Sequence, residues 1–207
     1  MVVRVLTSAV ALLATVSVSF ADGSPSESVA AGDRWTYRVE RDDATPSLEG
    51  HEILGKNRDG DYLLGTFHPG ESSDKYITDI LLVLRPDDCI WDPFLRLVLR
   101  AGADCTREPH EGEVWKLDWT RGAGRFHVVN TWLGYEDIVV GAGTFHAMKF
   151  GTRIEIIDPD KSLRATVEST NWYSGQAKVL VRIDSRATMS GGGGQTLRAA
   201  LESAPAR

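Results

Sequence analysis

The sequence predicts a mainly β protein, a curved antiparallel sheet forming a half-barrel or two-layer β domain with little helix. Three observations predict it. Helical periodicity is nearly absent after the first 21 residues, short runs of alternating apolar and polar residues recur, and Gly, Asp, Asn and Pro bound those runs. Alternation with period two puts every second side chain on one face, which suits a half-wet strand.

The chain opens with one early cation, Arg4, an apolar and small-residue run from Val5 to Phe20, and then a polar, Pro-containing stretch. That is the layout of a secretory leader, with Ser19 and Ala21 as the small residues before the cut, so residues 1–21 are read as a signal peptide. The alternative is a retained membrane helix, but the run is shorter than the roughly 20 residues that span a bilayer. No stable membrane anchor is therefore expected after cleavage, and the expected location is the periplasm or the outside of the cell. Residues 22–190 are read as a single antiparallel β domain.

"RWTYRVE" sends Trp35, Tyr37 and Val39 to one face and the charged residues to the other. "HEILGKNRDGDYLLGTF" holds two strands about Asn57 to Gly60, where Asp59-Gly60 is a tight-turn signal. "KYITDILLVLRP" is a more fully apolar strand that Pro86 ends, and "FLRLVLR" is dense enough in apolar residues to be a short helix instead. A second series runs from "GEVWKLDW" through "RFHVVNTWLGYEDIVV" to "NWYSGQAKVLVRID". Both series start with Gly-acid-x-Trp, at Gly32 and Gly112, which suggests two similar halves, about 32–105 and 112–185. The glycines after Ser190 and the short Leu/Ala segment beyond them predict a flexible tail over 191–207.

Composition narrows the function. With 23 basic against 29 acidic residues the net charge is -6, and the arginines are scattered between acids, so a phosphate-tracking nucleic-acid surface is not expected. Cys89 and Cys105 are the two cysteines, and in an exported chain they are most simply one disulfide. Two free core thiols are the alternative.

Bond chemistry finds little support. The five histidines show neither His-x-His nor His-x-x-x-His spacing, so no metal and no cofactor are expected. Asn57, Asp59 and Asp61 have alternate spacing about a glycine, as in calcium loops, but a hairpin turn is the better reading. Glu111, Glu113 and Asp118 near Trp115 and Trp119 could supply a glycosidase with acid, base and stacking ring. No Gly-x-Ser-x-Gly elbow occurs. "IVVGAGTFHAMKF" is glycine-rich, yet no helix follows to present backbone N–H groups to an anion, so Gly141 and Gly143 are read as a hairpin corner. No enzyme is expected. The aromatic residues are more telling: Trp35, Tyr37, Trp132, Phe150 and Trp172 either fill a core or line an apolar ligand cavity on a concave sheet face.

Val140, Ala142, Gly143, Thr144 and Phe145, followed by Trp172-Tyr173 and Val181-Arg182, resemble the TapB-like family of uncharacterised exported bacterial β domains. Gly32-Asp33-x-Trp35-Thr36-Tyr37 looks like that family's first strand. The resemblance implies a half-barrel related in fold to the periplasmic lipoprotein carriers, with no catalytic residues and no cofactor. The expected function is thus a non-catalytic envelope protein binding a lipid or other apolar ligand, the alternatives being an assembly module that pairs with an envelope protein and, more weakly, a carbohydrate-active enzyme.

Overall fold

The computed structural model describes residues 29–205 apart from residues 43, 70–76, 122 and 160–162. The expected signal peptide lies outside the described residues. Alternation becomes strand almost everywhere it was seen: β1 (Arg34–Arg41), β2 (Ser47–Lys56), β3 (Tyr62–Phe67), β4 (Ile77–Leu84), β5 (Asp88–Asp92), β6 (Leu97–Ala101), β7 (Val114–Arg121), β8 (Gly124–Val140), β9 (Gly143–Asp158), β10 (Leu163–Ser174), β11 (Val179–Met189) and β12 (Gly194–Ser203). A 3-10 turn, Gly102–Thr106, follows β6, and the described residues contain no α-helix.

Ten strands make one antiparallel sheet in the order β4-β3-β2-β1-β12-β11-β10-β9-β8-β7. β5 and β6 form a separate hairpin. "FLRLVLR" is therefore the turn and second strand of that hairpin. The chain turns here: Asp92 Oδ1 accepts the N–H groups of Phe94 and Leu95 at 2.8 and 3.0 Å, and Arg96 at φ 56° leaves the helical region and reverses the chain. The Asn57–Asp61 segment is the expected hairpin turn. Asn57 Oδ1 accepts from the amides of Asp59 and Asp61, and Gly60 has φ 87°.

The sheet is curved. β1 and β7 lie six places apart, which on a flat sheet is about 29 Å at the usual strand spacing. Yet the small β5–β6 hairpin touches both: Trp91 meets Trp35 of β1 edge-on at 5.7 Å, and the Leu99 carbonyl accepts from Trp115 Nε1 of β7 at 2.6 Å. Only a sheet curled around the hairpin allows this. Among the described residues β4 and β7 do not pair, so the barrel stays open.

The expected tail is corrected: Gly194–Ser203 is β12, inserted between β1 and β11. Gly192 and Gly193, at φ 85° and 92°, make the reversal, and Leu197, Ala199 and Leu201 then point into the core. Helix-favouring Leu, Ala, Arg and Glu yield because two backbone ladders and a buried face outweigh propensities worth tenths of a kcal/mol each. The β domain thus runs past residue 190 to Ser203.

The two Gly-acid-x-Trp starts share a local geometry. Gly32 (φ 89°) and Gly112 (φ 74°) donate to the carbonyls of Ile53 and Trp132 on the following strand. Asp33 and Glu113 each accept the N–H three residues back, from Ala30 and His110. The likeness ends there, because β1 has neighbours on both sides and β7 closes the sheet.

Candidate ligand site on the concave face

On the concave face, residues directly opposite one another across the ladders run in rows. Trp115, Asn130, Thr152 and Ser169 form one, and Trp132, Phe150 and Asn171 the next. The β5–β6 hairpin is seated on this face as a plug. Its Ile90, Trp91, Val98 and Leu99 are buried against Trp35, Ile53, Leu64 and their neighbours. Cys89 and Cys105 are disulfide-bonded, tying the plug's first strand to the turn after its second. Their 16-residue separation is worth about 3 kcal/mol in the chain-entropy account.

Polar groups fix how the plug sits. Leu99 O accepts a second bond from Asn130 Nδ2 at 2.9 Å. Asn130 Oδ1 receives Thr152 Oγ1 at 2.7 Å, and Asn171 Nδ2 donates to Thr152 Oγ1 and Ser169 Oγ at 2.8 and 3.0 Å. This chain of buried amides and hydroxyls went unremarked in the sequence. Its only sequence signal is a set of polar residues at inward parity, Asn130, Thr152, Ser169 and Asn171, which gain meaning once the register is known.

The plug's tip carries buried titratable groups. Asp92 is fully buried, and burial pushes its carboxyl up to about 6 against the opposing pull of the Leu95 and Phe94 amides. His51 of β2 is buried beside Phe94 and Tyr37 at ring distances of 5.2 and 5.7 Å, and burial pulls its imidazole down to about 4. Tyr37 is raised well above its ordinary value, by burial first and by Asp92 second. Its hydroxyl donates to the Leu180 carbonyl at 3.0 Å.

The sequence-selected aromatics divide accordingly. Trp35, Tyr37 and Phe150 are fully buried core under the plug, with Trp35 Nε1 donating to Ala177 O and Phe150 against Trp115 at 5.7 Å. Trp132 is half-buried on the same face, edge-on to Tyr135 at 5.9 Å. Trp172 is on the opposite, convex face: it sits directly across from Lys149 and Arg182, both cations lie over its ring, and its Nε1 donates to Glu136 Oε2 at 3.1 Å. A single concave-face set is thus not what these five residues form.

Beyond the plug the described residues cover the concave face only in part. Leu117 and Trp119 of β7, Phe126 of β8, Ile156 of β9, Ala187 of β11 and Leu197 of β12 share inward parity and are only partly covered. They form an apolar strip contiguous with the core. Alternation does not reveal the whole strip, because Leu197 falls in the segment expected to be a flexible tail.

Of the acids near Trp115, Asp118 and Glu113 are each engaged by other side chains. Asp118 points to the convex face and binds His127 Nδ1 at 2.7 Å, whereas Trp115 and Trp119 point inward. Glu113 is held by both Arg107 nitrogens at 2.6 and 2.7 Å and by the His110 amide at 3.0 Å, which together bring its carboxyl down to about 2. A carboxyl so held is a poor proton donor. The "GAGT" corner is a two-residue hairpin turn closed by Val140 and Gly143. Ala142 N donates to Leu201 O at 2.9 Å, so the corner packs on β12 and cradles no anion there.

No protein-family model matches the chain, and no curated protein matches it in sequence. Three solved structures are similar in architecture. A candidate lipoprotein of Parabacteroides distasonis is 14% identical with TM-score 0.43, over 85% of this chain and 96% of that one. A candidate exported protein of Bacteroides fragilis with a YmcC-like fold is 11% identical with TM-score 0.41, over 86% and 97%. The hypothetical lipoprotein YmcC of Escherichia coli is 10% identical with TM-score 0.38, over 84% and 88%. Similarity at this level identifies neither an activity nor a ligand.

Proposed function

We propose that this is a non-catalytic envelope protein that holds a lipid or other apolar ligand along the open strip of its concave face. The observation that carries the reading is the strip itself, in which Leu117, Trp119, Phe126, Ile156, Ala187 and Leu197 continue the core's apolar surface past the end of the plug. An acyl chain laid there removes apolar area from water at roughly 25 cal/mol per Å². The secretory pattern of residues 1–21 and the resemblance of the Gly143-Thr144-Phe145 and Trp172-Tyr173 motifs to TapB-like proteins support an envelope location. The aromatic set under the plug contributes to this function as scaffold.

Organic extraction of the purified protein followed by mass spectrometry should recover a co-purified lipid. Anilinonaphthalene sulfonate should bind and be displaced by a long-chain fatty acid, with Ile156→Glu weakening binding about tenfold by placing a charge on the strip. Absence of both lipid and displaceable probe binding would rule the reading out.

A further inference from the structure

We infer that the outer edge of β7 is an interface for a second copy of this chain, the two β7 strands pairing antiparallel about a two-fold axis so that one sheet runs through both protomers. The proposal goes beyond the ligand reading and does not depend on it, since it uses a backbone edge and not the strip.

Three observations converge on it. First, among the described residues β7 pairs only with β8, and it ends the sheet. Second, that edge carries no bulge and no proline, two of the devices that blunt native edges, and its exposed charges, Lys116 and Asp118, are of opposite sign. The β7/β8 ladder runs from Val114↔Thr131 to Arg121↔Gly124 with no register shift, and β7 contains neither Gly nor Pro. The opposite edge differs: the β3/β4 ladder is interrupted between Leu64 and Thr66, and Pro86 follows two residues after β4.

Third, the sequence of the edge is complementary to itself. "VWKLDWT", Val114 to Thr120, is a pseudo-palindrome about Leu117. Antiparallel pairing centred there places Lys116 opposite the partner's Asp118 and Asp118 opposite the partner's Lys116, with Trp115 across from the partner's Trp119. Shifting the centre by one residue sets Lys116 against Lys116 or Asp118 against Asp118, and like charges directly opposite are unfavourable. Charge therefore selects one register.

Backbone parity agrees with that register. Trp132 N donates to Glu113 O at 2.9 Å, so along β7 the odd-numbered residues bond to β8 and the groups of Val114, Lys116, Asp118 and Thr120 point outward. The selected register pairs even residues with even residues, which meets this requirement. Lys116 and Asp118 are both exposed on the convex face, where Asp118 also binds His127 Nδ1 at 2.7 Å. An acyl chain could not satisfy this row of amides and carbonyls. A strand can, and an isologous two-fold contact is the commonest closed assembly.

Sedimentation equilibrium of the mature chain over a range of concentrations tests this, with hydrogen exchange read residue by residue. The expected result is a monomer–dimer equilibrium in which the amides of Lys116, Asp118 and Thr120 gain protection with concentration while those of Trp115, Leu117 and Trp119 do not change. Lys116→Asp and Asp118→Lys should each weaken the dimer about tenfold, and the double exchange should restore it, because opposite charges face each other again. Lys116→Pro, which removes an outward N–H together with the cation while taking no donor from the β7/β8 ladder, should abolish it. A chain that is monomeric throughout overturns the proposal, as does a dimer indifferent to Lys116→Pro or a double exchange that fails to rescue. The exchange pattern of the unmodified chain decides the matter even if a variant folds poorly, and lipid extraction leaves it unchanged.

Discussion

Strands β1 and β7 enter the sheet through the same glycine turn and the same acid-x-Trp step, yet β1 lies between two neighbours beneath the plug while β7 has β8 on one side and an open edge on the other. Trp35 and Trp115 are both buried with their indole N–H bonded to a carbonyl. Further along they diverge: Tyr37 and Val39 remain buried, whereas Leu117 and Trp119 are only partly covered. A short motif can fix how a strand begins. How deeply the strand is buried depends on distant segments, here the plug and β12.

Removing β12 should break the comparison most severely. A chain ending at Ser190 would make β1 an edge like β7 and cut the backbone ladder between the β1–β4 and β7–β11 parts. Loss of cooperative unfolding by near-ultraviolet circular dichroism is expected; a sharp transition within a few degrees of the full chain would show β12 to be dispensable. β12 is also where the sequence was least legible. The strand pattern of β1, of the β2–β3 hairpin and of β11 could be read from period two because their apolar faces are long and rich in aromatic and β-branched residues. β12 offers only Leu197, Ala199 and Leu201 after a glycine tract, residues with helical leanings, and its strand state comes from the ladder to β11 and from partners more than 140 residues away such as Tyr37, which lies opposite Leu201.

The next effect in size separates the two tryptophans along the same face. Trp35→Ala should cost about 3–5 kcal/mol, since a fully buried ring packed on Trp91 leaves a cavity and an unpaired Ala177 carbonyl. Trp119→Ala, on the partly open strip, should cost less than about half as much, because the space it leaves is filled by water. Urea unfolding measures both, and equal costs would mean that the strip is as closed as the core. The site was legible to the same uneven degree. Inward parity could be read for Trp35, Tyr37 and Phe150, but whether they met a ligand or protein depended on the plug, whose seat is set by the Leu99 carbonyl bonding Trp115 and Asn130, 16 and 31 residues on. Trp172 is buried as a core residue would be, but Lys149 and Arg182 cover its ring on the convex side, a placement that period two alone does not give past the irregularity between Trp172 and Tyr173.

The smallest effect in the wild-type chain is a pH dependence that belongs to the plugged region. In the unfolded chain Asp92 titrates near 3.8, and the fold raises it to about 6. Folding therefore favours its protonated form, a contribution fully present below about pH 4 and lost as pH rises through 6, worth up to about 3 kcal/mol. His51 runs the other way: its value falls from 6.5 to about 4, so its contribution is present above 6.5 and lost as pH falls through 4, by a similar amount. The two slopes oppose each other between pH 4 and 6.5 and should leave the wild-type chain nearly flat there. Asp92→Asn keeps an oxygen for the Phe94 and Leu95 amides but cannot ionise, so it leaves the His51 slope uncompensated. Its urea midpoint should fall markedly from pH 7 to pH 4 while the wild-type midpoint changes little. A variant as flat as the wild type would show that Asp92 is not the group offsetting His51, and that the plug's tip is better solvated than its packing against Tyr37 and His51 implies.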